Sequence, residues 1–253
     1  VRWSFRQERP GPADAAGGRL RVMTYNTHHG ADRRNRLDLG AIASTIESCS
    51  PDIVALQEVD RHFHPRSGHL DQPQWYAERL GMHLHFAPIL VLPADREAAP
   101  DREYGLALLS RLPFSDRGHL RYALRANEPR GLLTAEVNWG GRTIRLVNTH
   151  LSAHDRRARR HEATELVQHL DQRQLPTVVA GDFNALSRAG ELSGLRRWLT
   201  DAWRAGRGLP FTSSGRRIDY IWMSRELAPL RTWVVRSGAS DHYPVVADLV
   251  ALR

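Results

Sequence analysis

Short apolar runs recur along this chain, and each has an amide, a carboxylate or an imidazole at one end. MTYN stops at Asn26, ALQE at Glu58, VNTH at His150 and VAGD at Asp182, with Asn184 two residues on; Asp219 heads DYIW, and Asp241 and His242 precede YPVV. Runs of this length, rich in Val, Ile, Leu and aromatics, read as β-strands. A charge at the end of such a run is expensive unless a metal or a partner compensates it. The expected strands are Leu20 to Asn26, Ile53 to Glu58, Gly105 to Ser110, Leu132 to Trp139, Thr143 to His150, Thr177 to Asp182, Ile218 to Met223 and Val245 to Val250. Helical spacing lies between them. Leu39, Ile42, Ala43 and Ile46 follow an Asp38 cap, Ala163, Leu166, Val167 and Leu170 follow Asp155, and Pro51 and Pro176 stop the two helices. Alternating elements of this kind predict a layered α/β fold whose strand ends gather at one sheet edge.

One domain accounts for the chain. Residues 1 to 18 are rich in Pro, Gly, Ala and charge, without period, and are expected to form a loose arm; residues 19 to 253 show no second shift of composition. Apolar residues make up 41% of the 253 and charged residues 25%, which excludes disordered, collagenous and coiled-coil readings. No run reaches the ~18 apolar residues of a membrane span, and the N-terminus lacks the apolar core of a signal peptide. The lone Cys49 forms no internal disulfide. A soluble monomer is expected, with the compartment open between the cytoplasm and export after signal removal. The net charge of +8 suits a polyanionic partner. All 36 basic residues are Arg, however, a coding bias that reduces the surplus to mild support for a phosphate-bearing substrate.

The residue types at the strand ends select the chemistry. Glu58, Asp182, Asp219 and Asp241 with Asn26 and Asn184 form an oxygen-rich set suited to a hard divalent ion such as Mg²⁺. No CxxC pair is present, so thiolate zinc and iron–sulfur sites are excluded. His150 and His242 beside carboxylates supply proton handling and hydrogen bonds to an oxyanion, as phosphoester hydrolysis requires.

The ordered series TYNTHHG, LQEVD, GLALLSR, EPRG, VNTHL, GDFNA, RRIDYIW and SDHYPV resembles the endonuclease/exonuclease/phosphatase superfamily of DNase I-like metal-dependent phosphohydrolases, from about Arg21 to Val250. The resemblance implies a four-layer α/β sandwich: two packed mixed β-sheets flanked by helices, with the active site at one end. It places Asn26, Glu58 and Asp241 at a Mg²⁺ or Mn²⁺ ion. It gives Asp182 and Asn184 the attacking water and a phosphate oxygen, His150 the phosphate or leaving group, and His242, oriented by Asp219, the opposite oxygen or the role of base. Relatives resembling AP endonucleases carry QETK and a Pro-Asn segment where this chain has QEVD and NTH, so abasic-site repair is disfavoured.

Around this set, Arg130 in EPRG is a candidate substrate contact because a guanidinium matches two phosphate oxygens. His28 and His29 follow Asn26; on an extended chain only one would face inward, and His29 is the candidate for substrate. Glu103 is a candidate support for His150, and His154 a candidate substrate contact from the loop after NTHL. The run Arg156, Arg157, Arg159 and Arg160 is either a solvated helix face or a track for a nucleic-acid backbone. Nuclease or phosphodiesterase action on nucleic acid is expected ahead of a phospholipid or sphingomyelin head group, a small phosphomonoester, or a silent binding scaffold.

Overall fold

Side chains alternating with a period of two sort the strands into two sheets with an apolar layer between them. The computed structural model describes residues 18–95, 98–123, 128–170 and 175–252, so the arm expected over residues 1 to 18 falls, except for its last residue, outside the described residues. In chain order the elements are β1 (Leu20–Asn26), α1 (Leu39–Cys49), β2 (Ile53–Arg61), α2 (Gln72–Leu80), β3 (His83–Leu92), β4 (Arg102–Ser110), β5 (Phe114–Arg121), β6 (Gly131–Trp139) and β7 (Arg142–His150). There follow α3 (Arg156–Leu170), β8 (Thr177–Asp182), α4 (Leu195–Trp198), β9 (Thr200–Asp201), β10 (Gly206–Arg207), β11 (Asp219–Met223), β12 (Leu227–Val234) and β13 (Val245–Ala251). One sheet runs β10-β12-β13-β1-β2-β4-β3 and the other β5-β6-β7-β8-β11-β9. Both are mixed, with β1 parallel to β2 across α1 and β7 parallel to β8 across α3.

The burial pattern makes four layers. Leu20, Val22, Ile53 and Ala55 of the first sheet meet Leu133, Ile144, Leu146, Val178 and Ala180 of the second in the central core. The alternate residues Met23, Tyr25, Val54 and Leu56 face Ile42, Ala43, Ile46 and Tyr76 of α1 and α2, while Val147, Val179 and Trp222 face Ala163 and Leu166 of α3. The expected caps are present: Asp38 accepts from the Ala41 amide at 2.9 Å, and Asp155 accepts from those of Arg157 and Ala158 at 2.8 and 3.0 Å. Among the described residues no helix is long and apolar enough to cross a membrane.

All eight expected strands form. The expected strands did not include β3, β5, β9, β10 or β12. β3 and β5 close the two sheets, where one side of the strand stays in water and the apolar alternation fades. β12 carries Pro229 at a register shift, and β3 carries Pro88 at another. Asp71 caps α2, Pro73 enters its first turn, and left-handed Gly81 stops it.

Candidate active site

The register delivers the polar strand ends to one place. β1 ends with Asn26 beside Gln57, β7 ends with His150 beside Asp182, and antiparallel β11 begins with Asp219 opposite Asp182. The two sheets meet here, since the Asn26 amide donates to Glu58 at 2.8 Å within its own sheet and to Asp182 at 3.1 Å across the gap. Gly181 permits the close approach of β7 and β8 just before Asp182, because a Cβ there would lie 2.0 Å from the Thr149 carbonyl oxygen.

Glu58 reaches the site through a β-bulge. On β2, Leu56 pairs with Ala107 and Val59 with Gly105, so Gln57 and Glu58 together oppose one residue of β4. Glu58 takes the left-handed φ of 57° that this requires. Regular alternation would send Val54, Leu56 and Glu58 to the helix-facing side. The bulge puts Val59 there instead and turns Glu58 to the strand ends.

Asp182 is the hub. Its Oδ2 lies 3.5 Å from His150 Nε2 and 3.8 Å from His242 Nε2, and its Oδ1 accepts the Asn184 amide at 2.9 Å. The other ring nitrogen of His242, Nδ1, meets Asp219 Oδ2 at 2.9 Å. The Asn184 side-chain amide lies 3.1 Å from His150 Nε2, and Arg130 donates to His150 Nδ1 at 3.1 Å. Asp182, Asp219 and His242 bring their ligand atoms within 4.8 Å of one another and could hold a metal ion. Ser240 ties this end together: its hydroxyl donates to the Asn26 carbonyl at 2.8 Å and accepts the His242 amide at 3.2 Å.

Burial and charge set the protonation states. Burial, followed by the charge of Asp219, pushes Asp182 up to about 7. Burial likewise raises Glu58. Burial alone would lower His242, but the Asp219 and Asp182 carboxylates outweigh it and hold the imidazolium, with its pKa raised to about 10. His150 goes the other way. Burial, then the Arg130 and His242 cations, keep its pKa well below the ordinary imidazole value, so this ring is neutral. Arg130 approaches Nδ1 and the Asn184 side-chain amide approaches Nε2, so both nitrogens of this neutral ring face hydrogen-bond donors, with Asp182 Oδ2 3.5 Å from Nε2.

Asn26, Glu58, His150, Asp182, Asn184, Asp219 and His242 therefore come together, and Asp241 stands at the rim. Its side chain is 39% exposed, 4.0 Å from His28 Nδ1, and its charge acts on Glu58. The outlying candidates fall in different places. Arg130 is buried, forks onto Glu128 at 2.7 and 3.1 Å and is joined to His150, so it stands inside the cluster and braces that ring. Glu103 does not support His150: it sits opposite Arg61 in the β2–β4 ladder and pairs with it. His28 and His29 are not on extended backbone. Both have positive φ in a 3-10 turn, their ring centroids are 4.4 Å apart, and His29 is buried beyond the hydrogen bonds of the cluster. His154 is exposed in the bend before α3. In the arginine run Arg156 and Arg159 both pair with Glu191, while Arg157 and Arg160 are exposed.

Sequence reasoning missed Gln57, Asn148, Ser240 and Glu128. Gln57 and Asn148 stand inside the very blocks LQE and NTH, and their signal was an amide at an inward-facing position of an apolar strand. Ser240 and Glu128 stand two residues before His242 and Arg130, and their roles depend on contacts distant in sequence.

Residues 23–242 match the model of the Endonuclease/Exonuclease/phosphatase family. Nocturnin of Rattus norvegicus is 30% identical over 156 residues, 57% of this chain and 35% of that protein, so the chain spans about a third of the length of this curated relative. An endonuclease/exonuclease/phosphatase from Beutenbergia cavernae is 27% identical, with a TM-score of 0.78 over 92% of this chain and 72% of that one. The human Nocturnin catalytic domain, solved with a bound sulfate anion, is 26% identical, with a TM-score of 0.70 over 92% and 95% of the two chains. By sequence model, layered architecture and the polar cluster at the strand ends, the chain belongs to the endonuclease/exonuclease/phosphatase family.

Proposed function

We propose that the chain is a divalent-metal-dependent phosphoester hydrolase, a phosphodiesterase with nucleic acid favoured over lipid head groups. The observation that carries this reading is the buried carboxylate Asp182 held between a neutral His150 and a charged His242, with Asn26 and Asn184 on the same group. The donor chemistry fits a hard cation: Glu58, Asn26 and Asp241 offer oxygens, and burial has raised Glu58 and Asp182, a strain that added positive charge would relieve. His242 in the Asp182–Asp219–His242 group is committed to Asp219 and protonated, which argues for the Glu58 side as the ion's seat. A Mg²⁺ or Mn²⁺ ion there would polarise the phosphoryl group as a Lewis acid.

The chain's own groups supply the rest. Asp182, raised to about 7, is poised to orient the attacking water and take its proton near neutral pH. The His242 imidazolium, fixed by Asp219, donates to one phosphate oxygen, where negative charge grows in the transition state. His150, a neutral ring, faces Asp182 from the other side, and the Asn184 side-chain amide stands at its Nε2. The sulfate anion in the human Nocturnin domain supports a tetrahedral oxyanion as ligand for this family. The +8 charge supports the nucleic-acid preference, although the pairing of Arg156 and Arg159 with Glu191 removes part of that surface.

The test compares bis-p-nitrophenyl phosphate, p-nitrophenyl phosphate and supercoiled plasmid, each with Mg²⁺ or Mn²⁺. The diester and the plasmid are expected to be cut faster than the monoester. Turnover of the monoester alone would replace the diesterase reading with a phosphatase.

A further inference from the structure

Glu58 owes its position to a bulge, and a bulge interrupts the ladder that would otherwise hold the strand in register. The strands on either side of the interruption are held together by a side chain. Asn148 does this from the opposite sheet. It follows Ile144 and Leu146 on the inward face of β7, is fully buried, and donates both hydrogens of its amide across the gap. One goes to the Leu56 carbonyl of β2 at 2.8 Å, the residue before the bulge, and the other to the Ala107 carbonyl of β4 at 2.9 Å, its ladder partner.

The first bulge residue closes the arrangement. Gln57, also fully buried, donates to Asn148 Oδ1 at 2.7 Å and to Thr24 Oγ1 of β1 at 3.1 Å. Its own carbonyl accepts the Thr27 amide at 3.1 Å and the Thr27 hydroxyl at 3.0 Å. Gln57 is thus pinned on its side chain and on its backbone, and the next residue is Glu58, whose carboxylate meets Asn26 at 2.8 Å. An apolar residue at 148 would fill the core as well as Leu146 does, but it would remove both bonds that tie β2 to β4 beside the bulge, and relaxing the bulge would return Glu58 toward the helices.

We infer that Asn148, linked through Gln57, is the positioning residue that sets the Glu58 carboxylate for the divalent ion. Neither amide touches substrate or ion; both act through the backbone of the bulge. The inference rests on the reading of Glu58 as a metal ligand. A polar clamp of this kind orients a ligand as hydrogen-bond partners outside a metal site commonly do, where loss costs about tenfold to a hundredfold in affinity.

The experiment titrates Mn²⁺ into the protein and reads the free ion by electron paramagnetic resonance, so it needs no turnover. Four variants are compared with the wild type: Asn148→Ser, Gln57→Met, Glu58→Gln, and Leu146→Ala as a core truncation on the same strand face. Asn148→Ser is expected to weaken Mn²⁺ binding about tenfold or more, Gln57→Met to weaken it in the same direction, and Leu146→Ala to lower the melting temperature while keeping wild-type affinity. Wild-type affinity in whichever of Asn148→Ser and Gln57→Met folds, with Glu58→Gln weakened, overturns the positioning role and leaves the metal reading standing. Wild-type affinity in Glu58→Gln overturns both. Equal weakening by Leu146→Ala would mean that any loss of packing loosens the site, and would also overturn it.

Discussion

Two histidines of one site are held in opposite protonation states: burial lowers both, and neighbouring charges reverse it at His242 and add to it at His150. His242 faces carboxylates on both nitrogens, Asp219 at 2.9 Å and Asp182 at 3.8 Å, whereas His150 has the Arg130 guanidinium on its Nδ1. Asp219→Asn should therefore leave the fold intact and lower kcat by about a hundredfold or more, because the imidazolium loses the charge that sustains it. Circular dichroism with steady-state kinetics on a diester checks this, and a variant with wild-type kcat would remove His242 from the mechanism. His29 offers a separate test of burial. Burial, then Arg66 and His28, lower its pKa from 6.5 to about 4. The unfolded chain therefore binds a proton that the folded one refuses between those values. Its contribution to stability is present above about 6.5 and is lost as pH falls toward about 4. His29→Asn, which tolerates the left-handed φ of 47°, should flatten the fall of urea-measured stability with pH over that window.

At the scale of elements, β2 and β8 shape the site by opposite means, a bulge that adds a residue and a glycine that omits a side chain. Gly181→Ala would force β8 away from the Thr149 carbonyl and shift Asp182 with it. A loss of about 2 kcal/mol or more in denaturant unfolding is expected, together with a fall in kcat. Loss of stability with unchanged turnover would show that the spacing of β7 and β8 does not matter to the chemistry. Much of this level was legible in the sequence. The strands ending in Asn26, Glu58, His150 and Asp182 and the Asp38 and Asp155 caps follow from spacing and side-chain chemistry alone. The bulge was not legible, since LQEVD reads equally well as a regular strand. The placements of Glu103 opposite Arg61 and of Arg130 against Glu128 were hidden for a related reason: ladder register and ion pairing are settled by long-range contacts.

For the whole molecule, two parallel strand–helix–strand units, β1-α1-β2 and β7-α3-β8, turn their strand ends to the same edge, and the packing of one sheet on the other sets Asn26 against Asp182. Neither sheet alone holds the cluster. That arrangement gathers Glu58, Asp182, Asp219 and Asp241 with too few cations for their number, and it predicts a fold that gains stability from a divalent ion. At a hundredfold excess over the dissociation constant, Mn²⁺ should add about 2.7 kcal/mol to unfolding; in thermal melts Glu58→Gln should show a smaller rise. An identical rise in the two proteins would place the ion elsewhere.

The most direct test of the central claim is the rate of bis-p-nitrophenyl phosphate hydrolysis by wild type and Glu58→Gln, first in EDTA and then as Mn²⁺ or Mg²⁺ is restored. The account predicts no turnover in EDTA, recovery on addition of the ion for the wild type, and recovery reduced at least a hundredfold for the variant, a reduction on the order of that for losing one electrostatic contact to the transition state. Turnover undiminished in EDTA, or equal recovery in Glu58→Gln, would contradict it.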